Sequence, residues 1–377
     1  MRWIATAVVA LFVLTAVGQE SSVNGAPTDV TASSLTSVGG AASANALAVR
    51  LRPPVTAPGN PNGPPIPPWA GPVETTRPDR RIGTGTAASC TSEAVVEAVA
   101  RGGIIGFDCG PDPVTIVMQQ TAKVVNTSRV VVLDGGGKVT LSGAGQRRIL
   151  YMNTCDPAQV WTTSHCQDQD HPQLTIQGLR FIQGDSTGQT AEGGGGGAVF
   201  VRGGRVKVVD TEFADNRCDP TGPDVGGGAL RVLSQSAGLP VVVARSTFAR
   251  NVCSNGAATS SIGVSWQIYS SVFTGNAAIG RGANPTRSGT PGGGNGAAIY
   301  LDGNLFTLDL VGSVITDNVA NEGGGAIFFV SNNRTGELRI SNSTLARNTS
   351  RGFETAGYPG IFFLGSGAPR VANSTIS

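Results

Sequence analysis

The stretch DTEFADNRCDPTGPDVGGGALRV, Asp210–Val232, carries an aromatic residue three places before an asparagine, then a cysteine, then a glycine run that opens onto a short apolar segment. Both halves return elsewhere. FADN at 213 is followed by FARN at 248, FTGN at 273, ITDN at 315 and LARN at 345, with FIQG at 181 and the terminal TIS as imperfect copies. GGGALRV from Gly226 matches GGGAVFV from Gly195, GNGAAIYL from Gly294, GGGAIFFV from Gly323 and, more weakly, GYPGIFFL from Gly357; after Asn251 the glycine box is replaced by SSIGV. Successive anchors lie 25 to 42 residues apart and the insertions fall in Gly/Pro/Asn-rich turns. Units of this length with variable loops indicate a solenoid.

Each unit holds two or three short alternating strands and no helical pattern, so the expected fold is all-β, a parallel β-helix in which each repeat is one rung. Equivalent residues of successive rungs then stack about 4.8 Å apart. Asn216, Asn251, Asn276, Asn318 and Asn348 become a ladder where the strand turns, a position at which asparagine tolerates left-handed backbone angles. Thr211, Ser246, Ser271, Ser313, Ser343 and Ser374 stand two residues before the large apolar residue and share its face. The alternation points Val199 and Val201, Leu230 and Val232, Ala298 and Tyr300, Ile327 and Phe329, and Ile361 and Phe363 inward. It points Phe200, Arg231, Ile299, Phe328 and Phe362 outward, a row too apolar for ordinary surface. That row is either a platform for sugar rings or a protein partner, or a face covered by inserted loops such as RGANPTRSGTPGG from Arg281.

The 377 residues are 40% hydrophobic and 14% charged with net charge +2, which gives no footing for nucleic acid or an acidic membrane as partner. MRWIATAVVALFVLTAVG, residues 1–18, reads as a signal peptide, its apolar run being shorter than the roughly 20 residues a membrane span needs. Residues 19–85, Ser/Ala/Thr-rich and then Pro-rich, read as a disordered stalk, followed by the repeat domain over 86–377. TSEAVVEAVARGG begins that domain as a short helix, with Thr91 as N-cap and Gly102 and Gly103 as stop. The chain ends within a repeat, so the domain is expected to lack its C-terminal end. The product is expected to be secreted or held at the cell surface, with no transmembrane helix after signal cleavage, where disulfides persist.

Cys218 and Cys253 both stand two residues after a ladder asparagine, which predicts a disulfide between neighbouring rungs. Cys90 with Cys109 and Cys155 with Cys166 are the local pairs suggested for the remainder. Asp210 and Glu212 invite a carboxylate-pair mechanism, but the same frame sets Arg245 beside Asp210, Arg180 beside Glu212, Arg250 beside Asp215 and Arg347 beside Asp317. Cross-rung ion pairs are therefore the expectation.

Alternating GGA[IVL] and FxxN tetrads resemble the repeats of polymorphic outer-membrane proteins and of exported right-handed parallel β-helix proteins of the pectate-lyase-like superfamily. The resemblance covers about Leu174–Ser377, and VVVLDGGGKVTLSG from Val130 is similar to the first rungs of such proteins. It implies a right-handed coil and two contrasting fates, surface adhesion or cleavage of acidic polysaccharide. Polygalacturonases of this kind need clustered aspartates, Gly-His-Gly and Arg-x-Lys; here His165 and His171 lack flanking glycines and RVK at 205–207 stands alone. A lyase needs only a base and a group to neutralise the uronate, which no compact motif excludes.

His165, Asp168, Asp170 and His171, with Asp156 in the same loop, are candidate ligands for a divalent cation such as zinc or calcium, at a spacing that matches no standard site. The functional expectation is a non-catalytic scaffold for adhesion or glycan binding, its partner an extended polysaccharide or a cell-surface glycan or protein. The alternative is a polysaccharide lyase or glycoside hydrolase.

Overall fold

The computed structural model describes residues 59–190, 193–282 and 287–377; the expected signal peptide and residues 19–58 of the stalk lie outside them. Short alternating strands broken by left-handed turns leave each segment too small to bury its own apolar face, so each must lie against its neighbour in the next repeat. The described residues form three sheets of seventeen, eight and four strands, and every pairing between strands is parallel. The chain visits them in turn. Val199–Arg202 lies in the eight-stranded sheet, Arg205–Val209 and Glu212–Ala214 in the long sheet, and Leu230–Val232 back in the eight-stranded one. Val252–Cys253 opens the four-stranded sheet in the following repeat.

The register follows the repeat. Phe213 pairs with Phe248, Phe248 with Phe273, Phe273 with Ile315 and Ile315 with Leu345. Four phenyl rings, those of Phe181, Phe213, Phe248 and Phe273, stack in the interior with centroids 5.1, 4.8 and 4.8 Å apart. Each is fully buried, worth roughly 1.5–3 kcal/mol by transfer. This mostly β, parallel, stacked architecture is compatible with the expected coil.

Two polar ladders run beside the rings. Asn216 Nδ2 donates to Asn251 Oδ1 at 2.9 Å and to the Phe181 carbonyl at 3.1 Å, while Asn251 Oδ1 also accepts from Asn216 N at 3.0 Å. The pattern repeats from Asn251 to Asn276, Asn318 and Asn348. Each buried amide is thus satisfied by its neighbour. The left-handed residue is not the asparagine but the one before it: Asp215, Arg250, Gly275, Asp317 and Arg347 have φ of 58, 57, 64, 60 and 55°. The asparagine is there for its amide, not for its backbone freedom. In FIQG the slot is Gly184, whose N donates to Asn216 Oδ1 at 2.7 Å, and a Cβ there would come within 2.4 Å of the Gly197 carbonyl. The hydroxyl ladder is continuous as well, Thr211 N donating to Ser246 Oγ, Ser246 N to Ser271 Oγ, and so on to Ser374.

One expected register needs correction. Ile299 pairs with Ile327, Tyr300 with Phe328 and Leu301 with Phe329, so Ile299 and Leu301 join the interior cluster and Tyr300 faces outward. Ile299 therefore leaves the outer row. The repeat after Asn251 does have its glycine box, as Asn255–Ala258, and Thr259 pairs with Ile299.

The helix spans Ser92–Arg101, with the Thr91 side chain accepting from Ala94 N and Gly102 ending it at φ 66°. It sets Val95, Ala98 and Val99 into the interior cluster. All three expected disulfides are present, and the Cα atoms of Cys218 and Cys253 are 4.8 Å apart.

Residues 59–85, expected to belong to a disordered stalk, lie on the long sheet instead. Arg80–Ile82 pairs in parallel with Ile105–Phe107. Upstream of it a proline-rich strap is pinned at Asn60, which bonds to the Gly312 and Asn342 carbonyls at 2.8 Å each, and at Val73, clasped by the Gln177 amide at 2.8 and 3.0 Å. Proline lowers the cost of ordering an extended segment, since φ is already fixed, and the groups that hold it come from the sheet. Composition alone could not reveal that.

Candidate functional site

The outer row of the eight-stranded sheet runs Tyr151, Phe200, Arg231, Ser260, Tyr300, Phe328, Phe362. It is covered: Phe200, Arg231, Tyr300 and Phe328 are 1, 2, 5 and 2% exposed. The cover is the glycine boxes. A Cβ on Gly196, Gly227 or Gly296 would come within 2.9 Å of Phe200, Arg231 or Tyr300, so the left-handed box glycines let backbone lie directly on the row. Phe353 closes the far end, edge-on to Phe362 at 4.7 Å. The guanidinium of Arg148 lies 5.1 Å from the Phe200 ring centroid and donates to the Gly195 and Gly196 carbonyls. Burial drags both Arg148 and Arg231 down to about 10. Among the described residues neither forms a direct ion pair, although the charge of Asp224 acts on Arg231, and Arg231 Nε has no hydrogen-bond acceptor.

The expected cation ligands do not converge. Among the described residues no three His, Cys, Asp or Glu side chains are grouped as a metal would require. His171 Nδ1 bonds to Asp170 at 2.6 Å while its ring stacks on Trp161, Asp168 caps the Ala237 amide, and Asp156 accepts from Tyr151, Ala158 and Gln159. His165 takes part through its backbone, its amide donating to Thr163 and its carbonyl accepting from Asp168 N at 2.9 Å. Turn capping has used the carboxylates singly.

The four cross-repeat ion pairs are present. Asp210 meets Arg245 through two bonds of 2.6 Å, Asp215 meets Arg250 at 2.9 and 2.9 Å, Asp317 meets Arg347 at 2.7 and 2.8 Å, and Glu212 meets Arg180 at 2.9 and 3.3 Å. Bidentate pairing occupies both oxygens of each carboxylate, and the Asp317 carboxyl is lowered first of all by its Arg347 bond. None of them is free for acid–base work.

What the sequence did not disclose is a cleft of about 620 Å³ on the outer side of the long sheet, beneath the strap. Its floor is built by alternation. Gln173 pairs with Arg205, Thr175 with Lys207, Lys207 with Val242 and Val242 with Gln267, so these side chains project together on the outer face. Trp69 of the strap, Val130 and Leu239 form apolar walls and are 54, 44 and 38% exposed. No described Asp or Glu side chain lines the cleft. Lys207 Nζ donates to the Gly71 carbonyl at 2.9 Å and, at 3.5 Å, to that of Trp69, leaving one donor. Its pKa is lowered, first by burial and then by the charge of Arg205. A cationic floor, exposed indole and amide side chains suit a sugar ring that bears an acid: the indole takes the C–H face, the amides the hydroxyls, and Arg205 and Lys207 the charge.

RVK at 205–207 was the only signal in the sequence for this place. Its meaning depended on Trp69, more than a hundred residues earlier. No protein-family profile, curated protein or solved structure matches the chain. Function has to be read from the site itself.

Proposed function

We propose that this protein is an exported right-handed parallel β-helix that binds an extended anionic polysaccharide in the cleft under its strap, without cleaving it. Handedness rests on the near-universal right-handed crossover between parallel strands. Export rests on the leader-like residues 1–18 and on three disulfides, which are consistent with an extracytoplasmic compartment. No helix among the described residues is long and apolar enough to cross a membrane.

The observation that carries the reading is a cleft with Arg205, Lys207 and an exposed Trp69 and no lining carboxylate. Hydrolysis needs two carboxylates across a glycosidic bond, and this cleft offers none. Elimination is the second reading, favoured by the lowered pKa of Lys207 beside Arg205. Against it, Nζ is held as a hydrogen-bond donor to strap carbonyls, whereas a base needs a lone pair turned to the substrate.

Calorimetric titration of the full chain with polygalacturonate, alginate and chondroitin sulfate oligosaccharides, set against neutral cellulose oligosaccharides, tests this. Binding is expected for acidic chains only and should weaken about tenfold or more in Arg205→Gln, the worth of a charge-assisted hydrogen bond. Affinity should also decline with rising pH earlier than an ordinary lysine would allow, because Lys207 loses its proton sooner. Unsaturated product that disappears in Lys207→Gln would replace binding with lyase chemistry; equal binding of neutral chains would refute both.

A further inference from the structure

A second cavity of about 370 Å³ lies on the same outer face, walled by Tyr269, Asp309, Arg339 and Arg370. Gln267, in the first cavity, and Tyr269, in the second, are two residues apart on the strand Trp266–Tyr269 and project from the same side of it. What lies at the boundary is the strap: Trp69 meets Tyr269 edge-on at 5.8 Å, and Ala70 and Ile66 pack on Val209, Val242, Ala244 and Tyr269.

The strap is held unevenly. Its ends carry the firm bonds, Asn60 to Gly312 and Asn342, Val73 to Gln177, Thr75 to Asp134 and Asp79 to Ile104. Between them, Pro64, Pro65, Pro67 and Pro68 have no N–H to offer the sheet, and Lys207 supplies the hydrogen bonds from sheet to strap there. Those bonds go to neutral carbonyls. A carboxylate or sulfate adds a full negative charge to that contact and so attracts the same ammonium more strongly than a neutral carbonyl does.

We propose that the two cavities are the halves of one furrow and that the strap is its built-in competitor: an anionic polysaccharide long enough to span both takes Lys207 from the strap carbonyls and lifts Pro64–Gly71 off the sheet. The proposal rests on the reading of the cleft as an anionic-glycan site. Short chains fill the first cavity with the strap in place; long ones pass beneath its lifted middle, toward Arg339 and Arg370, which are shared with Asp309 and Glu337.

The test uses the full chain, uronic-acid oligomers of two lengths, calorimetry and hydrogen exchange. Asn60→Ala removes the side-chain half of the strap's remote pin, the bond to Asn342, while the backbone bond to Gly312 stays, and it touches neither cavity. It is expected to tighten binding of the long oligomer about fivefold and leave the short one unchanged, since the lost hydrogen bond no longer opposes lifting. In the wild type the long oligomer should speed exchange of the Ala70 and Gly71 amides and leave that of Val73, at the fixed end, unchanged, and the short one should alter none of them. Binding of both lengths without the Asn60 effect, or with slowed exchange in the strap, overturns the competitor and spares the glycan site. Failure of either length to bind overturns both.

Discussion

On the outer side of the eight-stranded sheet, aromatic rings and Arg231 are sealed under backbone supplied by the glycine boxes that precede each strand. On the outer side of the long sheet, Arg205, Lys207 and Gln267 are roofed only by a strap that arrives from the N-terminal side of the helix. The two surfaces began with similar ingredients, outward side chains in register from repeat to repeat. What separates them is where the cover comes from. A box that must be glycine, three residues before the strand it covers, is inseparable from the repeat, so that face is finished and closed. A strap attached at its ends leaves cavities beside it, and half-buried cations there still face a space that a ligand can enter. Cations without carboxylates thus mean different things: under the boxes they fix carbonyls and stack on rings, under the strap they wait beside a cleft.

The contrast can be broken by mutation. Phe328→Ala should cost about 3–5 kcal/mol in denaturant unfolding, as for an interior phenylalanine, although its ring lies outside the stacked core. A loss below about 1 kcal/mol would mean that the boxes do not seal the row and that the two faces are alike. Arg231→Met should raise stability by about 1–2 kcal/mol in the same measurement, because it removes a 2%-exposed cation whose Nε lacks an acceptor while keeping the side chain's length. A drop instead would show that its bond to the Gly226 carbonyl at 3.5 Å matters more than the geometry implies. The smallest effect belongs to neither face. Asp210→Asn, which removes the charge but keeps a residue suited to φ 49° at this turn, should change stability by less than about 1 kcal/mol, and high salt should erase even that, since the side chains of Asp210 and Arg245 are 41 and 34% exposed.

The repeat was legible because a stacked chain must place equivalent residues at equivalent positions, which is why the Cys218–Cys253 bridge and four ion pairs follow from counting alone. Counting failed at Ile299. GNGAAIYL was aligned on Gly294, whereas the marker that matters is the left-handed glycine three residues before the first inward side chain: Gly196, Gly227, Gly256, Gly296 and Gly324, with φ between 48 and 76°. Sequence shows which residues are glycine but not which of three adjacent ones bends the chain. The cleft was hidden for a different reason. Its wall, Trp69, sits in a segment whose composition says disorder, and the segment is ordered by groups from distant repeats, among them Gln177, Lys207, Gly312 and Asn342, that no local pattern ties to it. The cation site expected in the 155–172 loop failed because carboxylates near turns are drawn first to the free amides there.

The pin at Asn60 also sets an order of events. Its acceptor on Asn342 lies 282 residues further along the chain, so a segment made early is among the last to be fully tied down. Until the late repeats have formed, the proline-rich segment has nothing to tie to at that end, although its partners Gln177 and Lys207 are already made. On the proposed reading, a maturing molecule is therefore more open to a ligand than a finished one.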